Sequence, residues 1–490
     1  MNCGQVLVMS RRGQARSGHW IFTISHSVFF RSTVAIGGPV GVGGVSCTST
    51  VPFGSSTQLR STNAPRTSTF MRNHLHPDGP SEQQVLSSHL GSTSNSHLMT
   101  VASRHQPNDP LPILLVVRIA LVAAVVGFNF GLIGPIVGRL EQRFDVSYAA
   151  IGLLAALLSI THAASQLPAA VPMQRFGSLR VARISLLIII GANFIGMLAP
   201  VFWVLAASRI IVGLGTGPLV VGVLDGARRL GGARLAGIAG GATMLGLGSA
   251  LLIGATLDGF GAPWWSNFAV ALLIAAAAAL ACPADRPQTR EPERERITVQ
   301  FGRVFRSGTL WRLAFLHTMT YGTCLVIGFW VVEYLSQSGS SKLVAGAIGF
   351  ALLGVSAVFR WTGGEAMDRG APWLWVGPVA TVIAATAMFG FSRHPEPLLA
   401  LPLALVVGAG LAAPFSGIFV FAVRAEPAAP AAAIAMVNMF ATAMALIVAP
   451  VVGALFDAGR SELMFVALAL LAIIAAAANL RPVHEASASL

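Results

Sequence analysis

Polar side chains interrupt the apolar stretches of this chain at a few positions: Arg118, Asn129, His162, Gln166, Asn193, Arg209, Thr243, His317, Tyr321 and Asn438. A cation in such surroundings is costly and must face a cavity or a partner. Arg209 therefore admits two roles. It holds an anion or takes part in ion coupling, or it bonds carbonyls and waters and shapes its neighbours. Arg118 sits near one end of its stretch, where its stem can carry the charge outward. His162 and His317 belong to the one side-chain type that ordinarily titrates near neutrality, at about pH 6.5, so each is a candidate proton carrier. The plainer role for each is a neutral, hydrogen-bonded packing residue. Asn129 and Asn438 suit contacts with uncharged groups. The acids Asp225, Asp258, Glu333, Glu365 and Asp457 fall at the ends of apolar stretches, not in their middles. That arrangement argues against exchange of a proton for a lipophilic cation, which calls for a buried carboxylate.

The elements that position these groups are long apolar blocks. A bilayer core about 30 Å thick needs about 20 apolar residues per helical crossing. The blocks read as spans at 112–137, 148–171, 181–199, 201–224, 235–257, 264–282, 310–334, 342–362, 373–391, 398–423, 431–455 and 462–480. The expected fold is an all-α membrane protein of twelve transmembrane helices in two six-helix bundles, 111–282 and 310–480. A loop at 283–309 joins them, and a tail follows at 481–490. Composition agrees: 54% of residues are hydrophobic and 10% charged, against roughly 25% charged in soluble domains. Mean hydropathy is +0.71.

The net charge of +13 does not mark a nucleic-acid surface. The arginines lie in alternate loops, the pattern that orients helices in a membrane. One side collects Arg175, Arg180, Arg183, Arg228, Arg229, Arg234, the central-loop arginines, Arg360, Arg369, Arg424 and Arg481. The other holds Arg139, Arg143, Lys342, Arg393 and Arg460. The first side is expected to be cytoplasmic, with both termini inside, in a bacterial inner membrane. The four cysteines show no metal spacing, and no HExxH or Walker sequence is present. No metal, cofactor, nucleic acid or enzymatic activity is expected.

Residues 1–110 are rich in Ser, Thr, Gly and Arg and hold Asp78, Glu82 and Asp109 as their acids. No helical or strand period persists, which points to disorder. Three origins fit: a start assigned too early, with Met99 as the true one; an organelle transit peptide; or a regulatory tail.

The halves repeat at an offset of 194. Ser147 and Gly152 open the second span, Ser341 and Gly346 the eighth; Ala170 and Gln174 close the one, Gly364 and Asp368 the other. The loop after the second span carries Gln174, Arg175, Gly177 and Arg180, and its counterpart carries Gly364, Asp368 and Arg369, preceded by Arg360. This resembles the G-x-x-x-D-R-x-G-R-R loop of the major facilitator superfamily, with Gln174 in place of the usual Asp. Arg209 followed by Gly213, Gly215 and Gly217 resembles the family's second motif, and spaced glycines let helices approach closely. Gly246 and Gly248 occupy the antiporter-motif region without its Pro. Trp264-Trp265-Ser-Asn267-Phe268 and Ala449-Pro450-Val-Val-Gly453 are similar to family segments as well.

The resemblance implies a monomeric secondary transporter that moves a small solute by rocker-switch alternating access. The loop motif would act as a conformational latch. Candidate substrate or coupling residues are Arg118, Asn129, His162, Gln166, Arg209, His317, Tyr321 and Asn438. A small anion or neutral polar solute fits the cavity residues; proton-coupled efflux of drugs or metabolites is the alternative. A non-transporting scaffold or sensor is a further one. The expected partners are the substrate, the lipid bilayer and a coupling proton.

Overall fold

The structure is a computed structural model and describes residues 20–26, 30–36, 111–285, 297–369 and 373–480. Within a separate unit, Met1–His97, β1 (Trp20–His26) pairs antiparallel with β2 (Phe30–Ile36), Trp20 facing Ile36 in register. The sequence reading placed no strand there. Both runs are rich in aromatic and β-branched residues, which suit a pleated ribbon. Met99 lies outside the described residues.

The second unit, Leu98–Leu490, is helical. In order it comprises α1 (Ile113–Gly131), α2 (Val137–Phe144), α3 (Tyr148–Gln166), α4 (Ala170–Phe176), α5 (Ser178–Met197), α6 (Phe202–Gly259), α7 (Ser266–Ala281) and α8 (Ile297–Arg306). There follow α9 (Gly308–His317), α10 (Thr323–Gln337), α11 (Lys342–Asp368), α12 (Trp373–Phe391), α13 (Pro397–Ala412), α14 (Phe415–Ala425), α15 (Pro430–Asp457) and α16 (Leu463–Ala478). Among the described residues nine stretches are long and apolar enough to cross a membrane. Three shorter apolar helices, Ser266–Ala281, Val376–Phe391 and Leu463–Ala478, complete the twelve.

The repeat is visible in the caps. Ser147 Oγ accepts from the Ala150 N–H at 3.2 Å to start α3, and Ser341 Oγ accepts from the Val344 N–H at 3.4 Å to start α11. Each satisfies one of the four N–H groups that a helix start leaves without a partner.

Several boundaries differ from the sequence reading. Pro135 ends the helical bonding of the first span, which continues through a 3₁₀ turn (Gly134–Ile136) into α2. The fourth and fifth spans form one 58-residue helix broken at Gly231 and Gly232. Gly232 has φ +67° and ψ −157°, a conformation that side chains resist. The seventh span is interrupted by a π-helical turn, Thr318–Gly322. The tenth breaks between α13 and α14 at Ala413 and Pro414. The central connection, read as plain loop, contains the ten-residue helix α8 with Val304 buried and Arg303 and Arg306 in its last turn. A short amphipathic pattern between long apolar blocks is easily read as loop.

Glycines set the helix seams. A Cβ at Gly213 or Gly217 would overlap α3, at Thr161 and Ser165 Oγ, while one at Gly215 would come within 2.7 Å of Ile189 on α5. Gly246 lies against the Ala124 carbonyl, and Gly248 faces Leu353 and Phe350 of the other half at 3.1–3.3 Å. By contrast Gly191 has nothing within 4 Å of such an atom. Gly217→Val is thus expected to cost several kcal/mol, as forced overpacking does, and to lower the melting temperature or abolish expression. Gly191→Ala is expected to be neutral or stabilising by up to about 1 kcal/mol. Equal melting curves for the two variants would contradict the packing described.

Candidate functional site

Arg209 is fully buried, seven residues into α6 from Phe202. Its Nη2 donates to Asn193 Oδ1 at 3.0 Å, Asn193 Nδ2 donates to Asn129 Oδ1 at 2.9 Å, and Asn129 Nδ2 donates to the Val125 carbonyl at 2.9 Å. The Phe268 ring stands 5.2 Å from the guanidinium carbon. Nε and Nη1 have no hydrogen-bond partner. Among the described residues no carboxylate pairs with this cation. A buried guanidinium left with free donors is costly unless something accepts from them. Those donors border a small cavity of about 10 Å³, lined on one half by Asn129, Ser159 and Arg209 and on the other by Leu325, Phe329 and Ala449. That is room for about one water.

A second polar layer lies deeper, towards the arginine-rich side. Gln166 is 18 residues past Tyr148 along α3, and Asn438 is 19 residues before Asp457 along α15. At 1.5 Å per residue they lie about 27 and 29 Å from the arginine-poor end. Asn438 Nδ2 donates to Gln166 Oε1 at 3.0 Å and so ties the two halves together. His317 stands beside Asn438 and stacks on Tyr321 at 5.3 Å. Tyr321 lies in the π turn, a feature often found where function needs a displaced side chain. Below this layer a cavity of about 310 Å³ opens, walled by Leu224, Phe415, Phe419 and Val420, with Arg228 and Arg424 also on its lining. No acid lines either cavity.

The remaining candidates disperse. His162 Nδ1 is 2.9 Å from Thr216 Oγ1, and the ring meets Phe130 edge-on. It lines neither cavity and serves the α3–α6 seam. Arg118 is exposed on the outer face of α1 and does not join the site. Arg360, grouped with the latch and the loop arginines, is a clear difference: it is 1% exposed, inside the C-terminal half. It lies within the span read as 342–362, and α11 runs on to Asp368, so Arg360 sits well short of the helix end.

The arginine-poor side is closed by contacts between the halves. Asp258, at the end of α6, pairs with Arg139 of its own half and with Lys342 Nζ of the other at 2.9 Å. Asp457, at the end of α15, accepts from the Tyr148 and Ala149 N–H groups at 3.0 Å each, capping α3 across the interface. The Tyr148 hydroxyl donates to Glu333 Oε1 at 3.0 Å. The end of the fifth span thus meets the start of the eighth, and the end of the eleventh meets the start of the second, as twofold-related halves require.

On the arginine-rich side the loop motif meets carboxylates from other parts of the chain. Gln174 and Asp368 have side chains outside the described ones. Arg175 is exposed and packs over Phe176. Gly177, at φ +96°, faces the Asp285 carboxylate, which accepts from the Leu179 and Arg180 N–H groups at 3.0 and 2.9 Å. The carboxylate at the start of α5 thus comes from Asp285, after the sixth span. Asp225 accepts from Ser178 Oγ at 2.5 Å and from Arg229 Nε at 2.7 Å. In the second copy, buried Gly364 borders the vestibule. Arg369 reaches Glu365 at 3.5 Å, and Glu365 meets Arg234 of the other half at 3.6 Å. Sequence reasoning missed Asp285; the one signal available was an acid just past the end of a span.

Two six-helix halves closing on a small buried cavity bordered by Arg209 form the architecture of a membrane carrier. The chain belongs to the major facilitator superfamily, whose family model matches residues 119–440. No curated protein sequence matches it. Solved structures share the fold at low identity. A D-xylose–proton symporter aligns with a TM-score of 0.62 at 15% identity, covering 76% of this chain and 98% of that one. A bacterial homologue of the human lysosomal transporter Spinster, inward-facing and unoccupied, aligns at 0.60 and 16%, covering 76% and 97%. A nucleoside transporter aligns at 0.58 and 16%, covering 74% and 98%. The protein is a multi-pass secondary transporter.

Proposed function

We propose that this transporter carries a small organic or inorganic anion, bound at Arg209 with Asn129 and Ser159, by rocker-switch alternating access. The observation that carries this reading is the buried guanidinium with two unbonded nitrogens on a cavity without acids. An anion supplies the missing acceptors, and bidentate geometry suits a carboxylate or similar oxyanion. A neutral polar solute would leave the charge uncompensated. The arginine-rich side is cytoplasmic on the charge asymmetry, with both termini inside and the protein acting as a monomer in a bacterial inner membrane. His317 beside the layer shared by both halves suits a coupling proton better than His162, which is held by Thr216.

The test is the melting temperature of detergent-purified protein against carboxylates, inorganic anions, sugars and lipophilic cations at fixed ionic strength. A ligand at 100 times its Kd adds about 2.7 kcal/mol. Stabilisation by one class of anion is expected; stabilisation by lipophilic cations alone would reverse the reading in favour of efflux.

A further inference from the structure

We infer that the C-terminal half holds a second anion station, centred on Arg360 with His317 beside it and Phe415 as its cover. The inference rests on the reading of the protein as an anion carrier but not on Arg209. Arg360 is buried, and its Nε and Nη2 make no hydrogen bond. Its surroundings are aromatic: the guanidinium carbon lies 4.2 Å from the Phe415 ring centre and 5.1 Å from that of Tyr321. The Cys324 thiol adjoins it, with Ser356 next to that thiol. His317 stands close by, stacked on Tyr321 and beside Asn438. Among the described residues no carboxylate pairs with Arg360. Rings neutralise a guanidinium only partly, so the unbonded Nε and Nη2 of Arg360 are donors that an anion would complete.

Phe415 is the wall between this place and the solvent. The same ring lines the 310 Å³ vestibule and covers Arg360. It is the first residue of α14, immediately after the break at Ala413 and Pro414, so it sits at a helix end and not in a continuous turn. It is seated against Gly240 of the other half, where a Cβ would come within 2.6 Å of the ring. Separation of the halves on this side withdraws that seat and uncovers Arg360.

The two arginines cannot share one small anion. Arg209 lies about 10 Å along its helix from the arginine-poor end, and Arg360, 18 residues past Lys342, about 27 Å from it. The Gln166–Asn438 bond lies at the depth of Arg360. An anion entering from the vestibule therefore meets Arg360 first and reaches Arg209 once that bond opens.

The experiment titrates full-length purified protein with sodium nitrate and sodium benzoate, reading the melting temperature with ionic strength held by a bulky sulfonate. Wild type is expected to show two saturable phases. Arg209→Gln should keep one, Arg360→Gln the other, and the double variant neither. Arg360→Lys, which keeps the charge but loses the fork, covers the case of a misfolded Arg360→Gln. In the Arg209→Gln background it should weaken benzoate about tenfold. Loss of all response in Arg209→Gln, or an unchanged benzoate affinity on adding Arg360→Lys, overturns the second station. Loss of all response in Arg360→Gln alone, with Arg209→Gln unaffected, overturns the central site and leaves the second standing. No response in wild type overturns both.

Discussion

Arg209→Gln is expected to abolish substrate accumulation in proteoliposomes while the protein still folds and inserts. The substitution keeps the hydrogen bond to Asn193 within reach and removes the charge that has no partner of its own. Losing a charge-assisted, bidentate contact costs about 3 kcal/mol or more, over a hundredfold in affinity. The fold should gain, because an unpaired buried cation is a burden to the empty protein. A raised or unchanged melting temperature with lost transport is therefore the expected pair of results. Lost transport together with a collapsed melting temperature would instead make Arg209 a structural cation, and retained transport would remove it from the site.

The second large effect is expected at Asp258. Its side chain is only 6% exposed, and it neutralises Arg139 of one half and Lys342 of the other. In Asp258→Ala the two cations face each other with no acid between them, in the closed state alone. Charged hydrogen bonds contribute about 1.5–3 kcal/mol, so the population open on the arginine-poor side should rise about ten- to a hundredfold. Asp457→Ala should do less, since it removes a helix cap worth about 1 kcal/mol and leaves no like charges facing each other. Spin labels placed on the two halves at that face would report this as a longer distance. An unchanged distance distribution in Asp258→Ala would show that the ion pairs do not hold this gate.

Much of this was legible in the residues, and the rest was hidden for definite reasons. Hydropathy located the spans because membrane thickness fixes helix length. The offset of 194 predicted the pairing of Ser147 with Ser341, and both are caps. The isolation of Arg209 from acids could be read directly, because every acid was assigned to an end. What hydropathy lacks is rotation about the helix axis and partners distant in sequence. Arg118 and Arg209 look alike in a string, yet one faces outward and the other a cavity. Arg360 falls near the end of its apolar block and so counts with the arginines of the charged side, yet α11 continues to Asp368 and the residue is buried. Asp285 caps a helix more than a hundred residues earlier in the chain, a contact no local pattern encodes.

The surfaces where the halves meet have one further property. Gly152 lies against the Ala449 carbonyl, Gly453 against Tyr148 and Ala149, Gly346 against Leu251 and Ala255, and Gly241 against the Ala357 carbonyl. At these points one backbone rests directly on another or on a short side chain, while Phe415, Leu353 and Phe350 mesh elsewhere on the interface. Interlocked side chains must leave their wells and reorder each time such a surface parts, at about 0.5–1.5 kcal/mol for each one immobilised. A glycine-faced seam has almost no rotamers to reset. It behaves as a smooth bearing: attraction is short-ranged and vanishes within an ångström or two of separation, and friction against rocking is low. The polar contacts at the rims, Asp258 and Asp457 on one side and Glu365 on the other, are then the directional bonds that any parting of the halves must break. Speed and regulation are thus built into different parts of the same interface.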